Sequence, residues 1–319
     1  MSRTYIISHA EDVDGISSAA IALAANPGAT FKLVDYNTFI RSLSDVPSDT
    51  TSLIICDLGA SSVFQELIMK LRDLKKQMSI TYIDHHPLKP DQITLLKYIG
   101  VKVVHDPAES ASVLTYFTLE PAGAACYYLP IYGAVTDYMD SGPKASYLID
   151  RVHRHFALLE STLLSSAVAQ GRTMRYRKYM VRELARGKYP HEIKSVVRNA
   201  TATLRKDIKL SRYVEQHARI TGNIASVNMP RGNNIPAGAK MALGRPGVIV
   251  GIAYEQKRRG NTAMSLRGVS SCPVHLGDFI GEVARRVGGR GGGHRLAAGA
   301  KIPVKAVQTV ITELSLKLK

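Results

Sequence analysis

Tryptophan is absent from the chain, cysteine occurs only three times, and no apolar run is long enough to cross a bilayer. Cys56, Cys126 and Cys272 are far apart and form no CxxC pair. That excludes a disulfide framework and a thiolate zinc site, and it agrees with a reducing compartment. The uncharged stretch Pro121 to Thr136 carries two prolines and two glycines, and nothing approaches the roughly 20 apolar residues of a membrane span. The opening MSRTYIISHAEDVDG turns acidic after a short apolar run, unlike a signal peptide. The expectation is a soluble, cytoplasmic protein with no membrane partner.

Acidic residues are also scarce. Asp and Glu number 26 against 42 Lys and Arg, for a net charge of +16 and a sequence pI near 9.8. Such a balance is the footprint of a protein that meets polyanions, with a solubility bias as the plain alternative. The excess is uneven: between Arg151 and Arg219 lie 16 basic residues and only 5 acidic ones. Mean hydropathy of −0.04 and 45% hydrophobic residues are ordinary for a globular chain, and no repeat or low-complexity tract appears. With 319 residues, two domains of about 100 to 200 residues each are expected.

The first 140 or so residues alternate short apolar runs with helical patterns. Candidate strands are Tyr5–Ile7, Phe31–Val34, Leu53–Cys56, Ile80–Ile83 and Val101–Val104. Helices are expected over Gly15–Ala25 and Ser62–Lys75, where apolar residues recur at helical spacing. This βαβ alternation predicts an α/β fold with a doubly wound, mainly parallel sheet, whose ligand sites lie beyond the carboxyl ends of its strands. From Leu148 the pattern becomes helical and basic. After about residue 215 strand-like runs return at Ala218–Val227, Val248–Tyr254 and Thr262–Leu266, followed by a helix at Leu276–Val287 and a glycine cluster. The organisation expected is residues 1–147 as an α/β domain, 148–215 as a basic helical connector, and 216–319 as a smaller C-terminal α/β domain.

On that sheet, His9, Asp12, Asp14, Asp57, Asp84, His85, His86 and Asp137 would converge from four segments on one edge. A single aspartate after a strand is commonly a helix N-cap or turn former. Four chain segments agreeing is another matter, because so many carboxylates and imidazoles repel unless cations neutralise them, and a mixed His/Asp donor set suits Mn²⁺. No convincing Ser-His-Asp or Cys-His nucleophile is present, and Ser8 reads as structural.

The segments His9-Ala10-Glu11-Asp12-Val13-Asp14-Gly15, Asp57, Asp84-His85-His86 and Gly133-Ala134-Val135-Thr136-Asp137 resemble the four motifs of the DHH phosphoesterase superfamily. Gly291-Gly292-Gly293-His294-Arg295-Leu296-Ala297-Ala298-Gly299 is similar to that family's C-terminal associated domain. Two residues separate His9 from Asp12 where related members place one or three. Motif four reads Thr136-Asp137-Tyr138 rather than Asp-Thr-Gly, with Asp140 as a rival to Asp137. The superfamily includes RecJ-like exonucleases, nano-RNases and cyclic-dinucleotide phosphodiesterases.

The resemblance implies a two-manganese site, with Mg²⁺ as a substitute, in a cleft between the two domains. His9, Asp12 and Asp57 would hold one ion, and Asp14, Asp57, His85 and Asp137 the other, with Asp57 bridging. Asp84 would orient the histidines and His86 would contact the scissile phosphate, roles that are interchangeable at this stage. Arg267 and Gly291, Gly292, Gly293 and His294 would bind substrate phosphate or sugar.

The activity expected is a manganese-dependent phosphodiesterase or exonuclease that hydrolyses single-stranded RNA or DNA, or short oligonucleotides, to mononucleotides by metal-activated hydroxide. Cleavage of a cyclic dinucleotide and removal of a nucleotide 3′-phosphate are the alternatives. Less favoured are a silent DHH-like scaffold and an inorganic pyrophosphatase. A homodimer and a replication or repair partner stay open. The run Arg172 to Arg186, interleaved with Tyr176 and Tyr179, reads either as a strand-tracking surface or as a solvated helix face.

Overall fold

The computed structural model describes residues 3–121, 123–171, 173–257 and 260–318. Arg172 of the basic run lies outside the described residues. The chain divides into two compact units, Met1–Leu204 and Arg205–Lys319.

In the first unit, β1 (Thr4–His9), β2 (Thr30–Val34), β3 (Ser52–Cys56), β4 (Ser79–Asp84) and β5 (Lys102–His105) form one sheet in the order β2-β1-β3-β4-β5. Every pairing is parallel, in registers such as Ile6 opposite Ile54 and Ile55 opposite Tyr82. A parallel sheet covered on both faces buries successive residues of a strand, which is why Tyr5-Ile6-Ile7 and Leu53-Ile54-Ile55 are unbroken apolar runs. The helix Val13–Ala25 is rich in alanine on the faces that meet the helices Ala111–Leu119 and Leu129–Thr136, and small side chains permit that close approach.

The basic segment is not a free-standing linker. Its helices Arg154–Gln170 and Met174–Ala185 bury Leu164, Ala167, Met180, Val181 and Leu184 in the same apolar cluster as Ile16, Ala20 and Leu129. The helix Lys194–His217 runs through the point at which the two units divide.

The second unit is built on a mixed sheet. Its strands are β6 (Arg219–Thr221), β7 (Ile224–Asn228), β8 (Val250–Gln256), β9 (Asn261–Gly268), β10 (Arg290–Gly293) and β11 (Ala297–Pro303), in the order β10-β11-β9-β8-β7-β6. Among the described residues, only β7 and β8 pair in parallel. The single strand expected over 218–227 is a hairpin turning at Gly222, where φ is +56°. The glycine cluster Gly291 to Gly293 lies in the edge strand β10. The helix Leu276–Arg286 packs closely on it: a Cβ on Gly277 would run into the backbone of Gly293, and a Cβ on Gly291 would crowd the Ile280 carbonyl. Among the described residues no helix is long and apolar enough to cross a membrane.

Candidate metal centre

The carboxyl ends of β1, β3 and β4 place His9, Asp57 and Asp84 along one edge of the parallel sheet. Asp12 caps the helix Val13–Ala25, its Oδ1 accepting the Gly15 N–H at 2.9 Å. Its Oδ2 remains free to face His9 Nδ1 at 2.7 Å. The cap and the site are therefore served by different oxygens of one carboxylate.

Asp14 is fully buried and is held by a second helix start, accepting from Ala111 N at 2.7 Å and Ser112 N at 2.9 Å. Asp57 follows β3 in the left-handed region with φ of 56°, a conformation in which few residues other than glycine, asparagine and aspartate rest. That turn brings Oδ2 within 3.5 Å of His9 Nδ1 and Oδ1 within 3.4 Å of His85 Nε2. His85 Nε2 also lies 3.9 Å from Asp14 and 3.7 Å from Asp137, which ends the helix Leu129–Thr136.

Three ligand groups result: His9, Asp12 and Asp57; Asp14, His85 and Asp137; and Asp57, His85 and His86. Asp57 is shared by the first and third, and His85 by the second and third. Asp140 is not among them and faces Arg154 instead. Ser8 donates to the Gly15 carbonyl at 2.7 Å and plays a structural part.

The donor set fits divalent cations. His9 Nε2 and His85 Nε2 are buried without a hydrogen-bond partner among the described residues, and Asp57 Oδ2 has none closer than His9 Nδ1 at 3.5 Å. Buried polar atoms are ordinarily satisfied, so several such atoms within one cluster of aspartates and histidines point to missing partners. Burial, with Asp12 and Asp14 as neighbours, pushes the Asp57 carboxyl well above its ordinary range. Burial and the same cluster raise Asp137 to about 8. Burial alone would lower His9, but the Asp12 and Asp57 carboxylates outweigh it and lift the imidazole to about 10.

These shifts have a defined sign. The folded protein retains protons at Asp137 and His9 that the unfolded chain releases near 3.8 and 6.5. Their contribution therefore weakens the metal-free fold as pH rises from about 4 toward 8 and beyond. Cations that displace those protons should stabilise more at high pH. The expected result is a larger rise in melting temperature on replacing EDTA by Mn²⁺ at about pH 8 than at about pH 5.5; an equal rise at both would show that the cluster releases no protons to the metal.

A second tier of groups fixes the histidines. Asp84 Oδ1 lies 2.9 Å from His86 Nδ1, and Tyr82 donates to Asp84 and to the Leu58 carbonyl. Asp84 thus orients His86 directly. Gly59 lets that ring lie close, since a Cβ there would meet His86 Cγ.

Sequence reasoning missed two residues here. Tyr36 places its hydroxyl 2.9 Å from His86 Nε2 and its ring 4.4 Å from the His9 ring. His105 Nε2 lies 2.7 Å from the His86 carbonyl. The signal for both was position, just beyond or at the carboxyl end of β2 and β5.

The remaining expected residues sit in the second unit. Arg267, Gly292, Gly293 and His294 line one cavity of about 390 Å³, together with Ser265 and Ala297, and Gly291 adjoins it on β10. Arg267 Nη1 donates to Ser265 Oγ and to the Leu266 carbonyl, and forms no salt bridge among the described residues. Burial lowers its pKa, leaving a half-desolvated guanidinium without a counter-charge. The face of Gly292 is open, with nothing near the position of a Cβ.

Two family models match the chain: the DHH family N-terminal domain over residues 3–142, and the DHHA1 domain over residues 225–319. Between them they span most of the chain, which belongs to the DHH phosphoesterase superfamily. Among solved structures it is similar to a pGpG-specific phosphodiesterase, PggH from Vibrio cholerae (14% identity, TM-score 0.62, 100% of this chain and 99% of that one). It is also similar to the DHH domain of a member of a family of ribosomal proteins (13%, 0.71, 99% and 86%). A third is RecJ from Thermus thermophilus in complex with Mg²⁺ (13%, 0.56, 99% of this chain and 49% of that one). At these identities the likeness shows the fold. The comparison with curated proteins gives no match.

Proposed function

We propose that the protein is a Mn²⁺-dependent phosphodiesterase, with Mg²⁺ as a substitute, that hydrolyses single-stranded or short oligonucleotides to mononucleotides. The observation that carries this reading is the convergence of Asp12, Asp14, Asp57 and Asp137 with His9, His85 and His86 in groups that could each hold a metal ion, with buried atoms of His9, Asp57 and His85 left without a hydrogen-bond partner among the described residues. His9, Asp12 and Asp57 would hold one cation, and Asp14, Asp57, His85 and Asp137 a second. Bound there, divalent cations supply an activated water and offset charge on the phosphoryl group.

The chain's own residues provide the rest. His86 is oriented through Nδ1 by Asp84, and its Nε2, which meets the Tyr36 hydroxyl here, would contact the scissile phosphate by exchanging that partner. Arg267 offers a guanidinium to a substrate phosphate, and the bare backbone of Gly291, Gly292 and Gly293 allows close approach beside His294. The net charge of +16 favours a polymeric anion over a small phosphate. Likeness to a pGpG-specific phosphodiesterase supports short substrates within this class.

The test is a substrate panel under Mn²⁺: RNA and single-stranded DNA from two to about fifteen nucleotides labelled at either end, with pGpG, a cyclic dinucleotide and a 3′-phosphorylated nucleotide. Stepwise mononucleotide release, fastest on the shortest chains, is expected. Cleavage of the cyclic compound alone, or of the 3′-phosphate alone, would replace the proposal by that alternative. No hydrolysis of any of them would favour a silent scaffold.

Arg267→Ala should raise KM by about 10- to 100-fold, the range expected for losing hydrogen bonds to a charged group, with a smaller effect on kcat. An unchanged KM would remove Arg267 from the substrate site.

A further inference from the structure

Away from the aspartate cluster, the first unit contains a cavity of about 580 Å³ between the starts of the helices Met174–Ala185 and Lys194–His217. Its walls carry Arg175, Lys194 and Arg198, two tyrosines, Tyr176 and Tyr179, and the Ser195 hydroxyl. No carboxylate lines it, and among the described residues none of the three cations forms a salt bridge. By contrast, Arg186 and Lys188, farther along the same segment, are both paired with Glu183. Three cations without a carboxylate partner among the described residues thus gather at this one cavity.

The two tyrosines differ in setting. Tyr176 packs against the apolar core of the unit, and a Cβ on Gly171 would run into its ring, so glycine there lets the ring take this position. Tyr179 is exposed. Ser195 Oγ is buried beside the Tyr176 hydroxyl.

We propose that this cavity is a second, non-catalytic site for single-stranded nucleic acid, which holds a nucleotide of the substrate strand away from the cutting centre. Unpaired cations suit backbone phosphates, and aromatic faces suit bases of any sequence. An acidic peptide would use the cations but leave the tyrosine faces without a partner of matching shape. The proposal rests on the nucleic-acid reading of the substrate. It adds a reason why a longer strand would be held more tightly than a dinucleotide, which cannot span both places.

The test uses the full chain carrying Asp57→Asn, in EDTA, so that nothing is cleaved. Binding of a fluorescent 12-nucleotide RNA and of a dinucleotide is compared with and without Arg175→Glu plus Arg198→Glu. The 12-mer is expected to lose at least about tenfold in affinity and to show a shallower salt dependence, while the dinucleotide is held as before. Tyr179→Ala, at an exposed side chain, should weaken the 12-mer by about fivefold or more with little change in salt dependence.

Affinity for the 12-mer within twofold of the parent in both variants would overturn the proposal. So would equal losses for the 12-mer and the dinucleotide, which would make the cavity part of the cutting site. If the wild-type protein cleaves no oligonucleotide under Mn²⁺ yet the 12-mer is still released by the charge reversals, this site stands and the hydrolase reading falls.

Discussion

Asp57→Asn is expected to lower Mn²⁺-dependent turnover by at least about 1,000-fold, roughly 4 kcal/mol of transition-state stabilisation, because one carboxylate serves two of the ligand groups. The same substitution should raise the melting temperature of the metal-free protein at about pH 8. In that form Asp57 is a buried carboxyl surrounded by Asp12 and Asp14, and its charge is opposed by burial first and by those neighbours second. An amide of the same shape tolerates the left-handed backbone and carries no charge. The gain should shrink as pH falls toward 4 and vanish below about pH 3, where the carboxyl is protonated in both folded and unfolded states. Lost activity with gained stability marks a residue retained for chemistry rather than for the fold. Near-normal turnover, or a metal-free protein destabilised by the change, would contradict this account of Asp57.

Gly133→Ala should have the next largest effect, in the direction opposite to intrinsic propensity. In an exposed helix, alanine in place of glycine gains about 1 kcal/mol. At Gly133, however, a Cβ would run into Ser112 Oγ and Asp14 Oδ1, both completely buried. Neither can swing away: Ser112 Oγ is 3.2 Å from the Pro130 carbonyl, and Asp14 accepts two backbone N–H groups of the helix Ala111–Leu119. Overpacking of this kind costs about 1–3 kcal/mol net, seen as a melting temperature several degrees lower. Displacement of Asp14 should also cut activity by at least about tenfold, since sub-ångström placement governs such centres. Thermal denaturation and initial rates on one preparation check both. A variant as stable and active as the wild type would show that the cluster tolerates movement of Asp14.

The parallel sheet was legible because its strands are buried on both faces and so appear as unbroken apolar runs; β1, β3 and β4 coincide closely with Tyr5–Ile7, Leu53–Cys56 and Ile80–Ile83. Once the strands are placed, the edge that gathers His9, Asp57 and His85 follows from topology. Other features depend on tertiary contacts that leave no periodic trace. Tyr36 belongs to no motif, and its role comes from lying across both His9 and His86. The run Gly291 to Gly293 reads as a bare backbone surface for phosphate, and its place as the edge strand β10 leaves no periodic trace because glycine is depleted in strands. The basic segment reads as a connector because its charge dominates the pattern, while Met180, Val181 and Leu184 bury a narrow apolar stripe against the first unit's core. The N-cap reading of Asp12 and its ligand reading are both compatible with the structure, since each uses a different oxygen.

The central claim is that these side chains form one centre for two divalent cations. Equilibrium dialysis of the metal-free full chain against Mn²⁺ at about pH 8, wild type beside Asp57→Asn, tests it most directly. The account predicts two ions per wild-type chain and, in the variant, loss of at least one together with about 100-fold or greater weakening of what remains. No specific Mn²⁺ uptake by the wild type, or uptake unchanged by the loss of the Asp57 carboxylate, would contradict it.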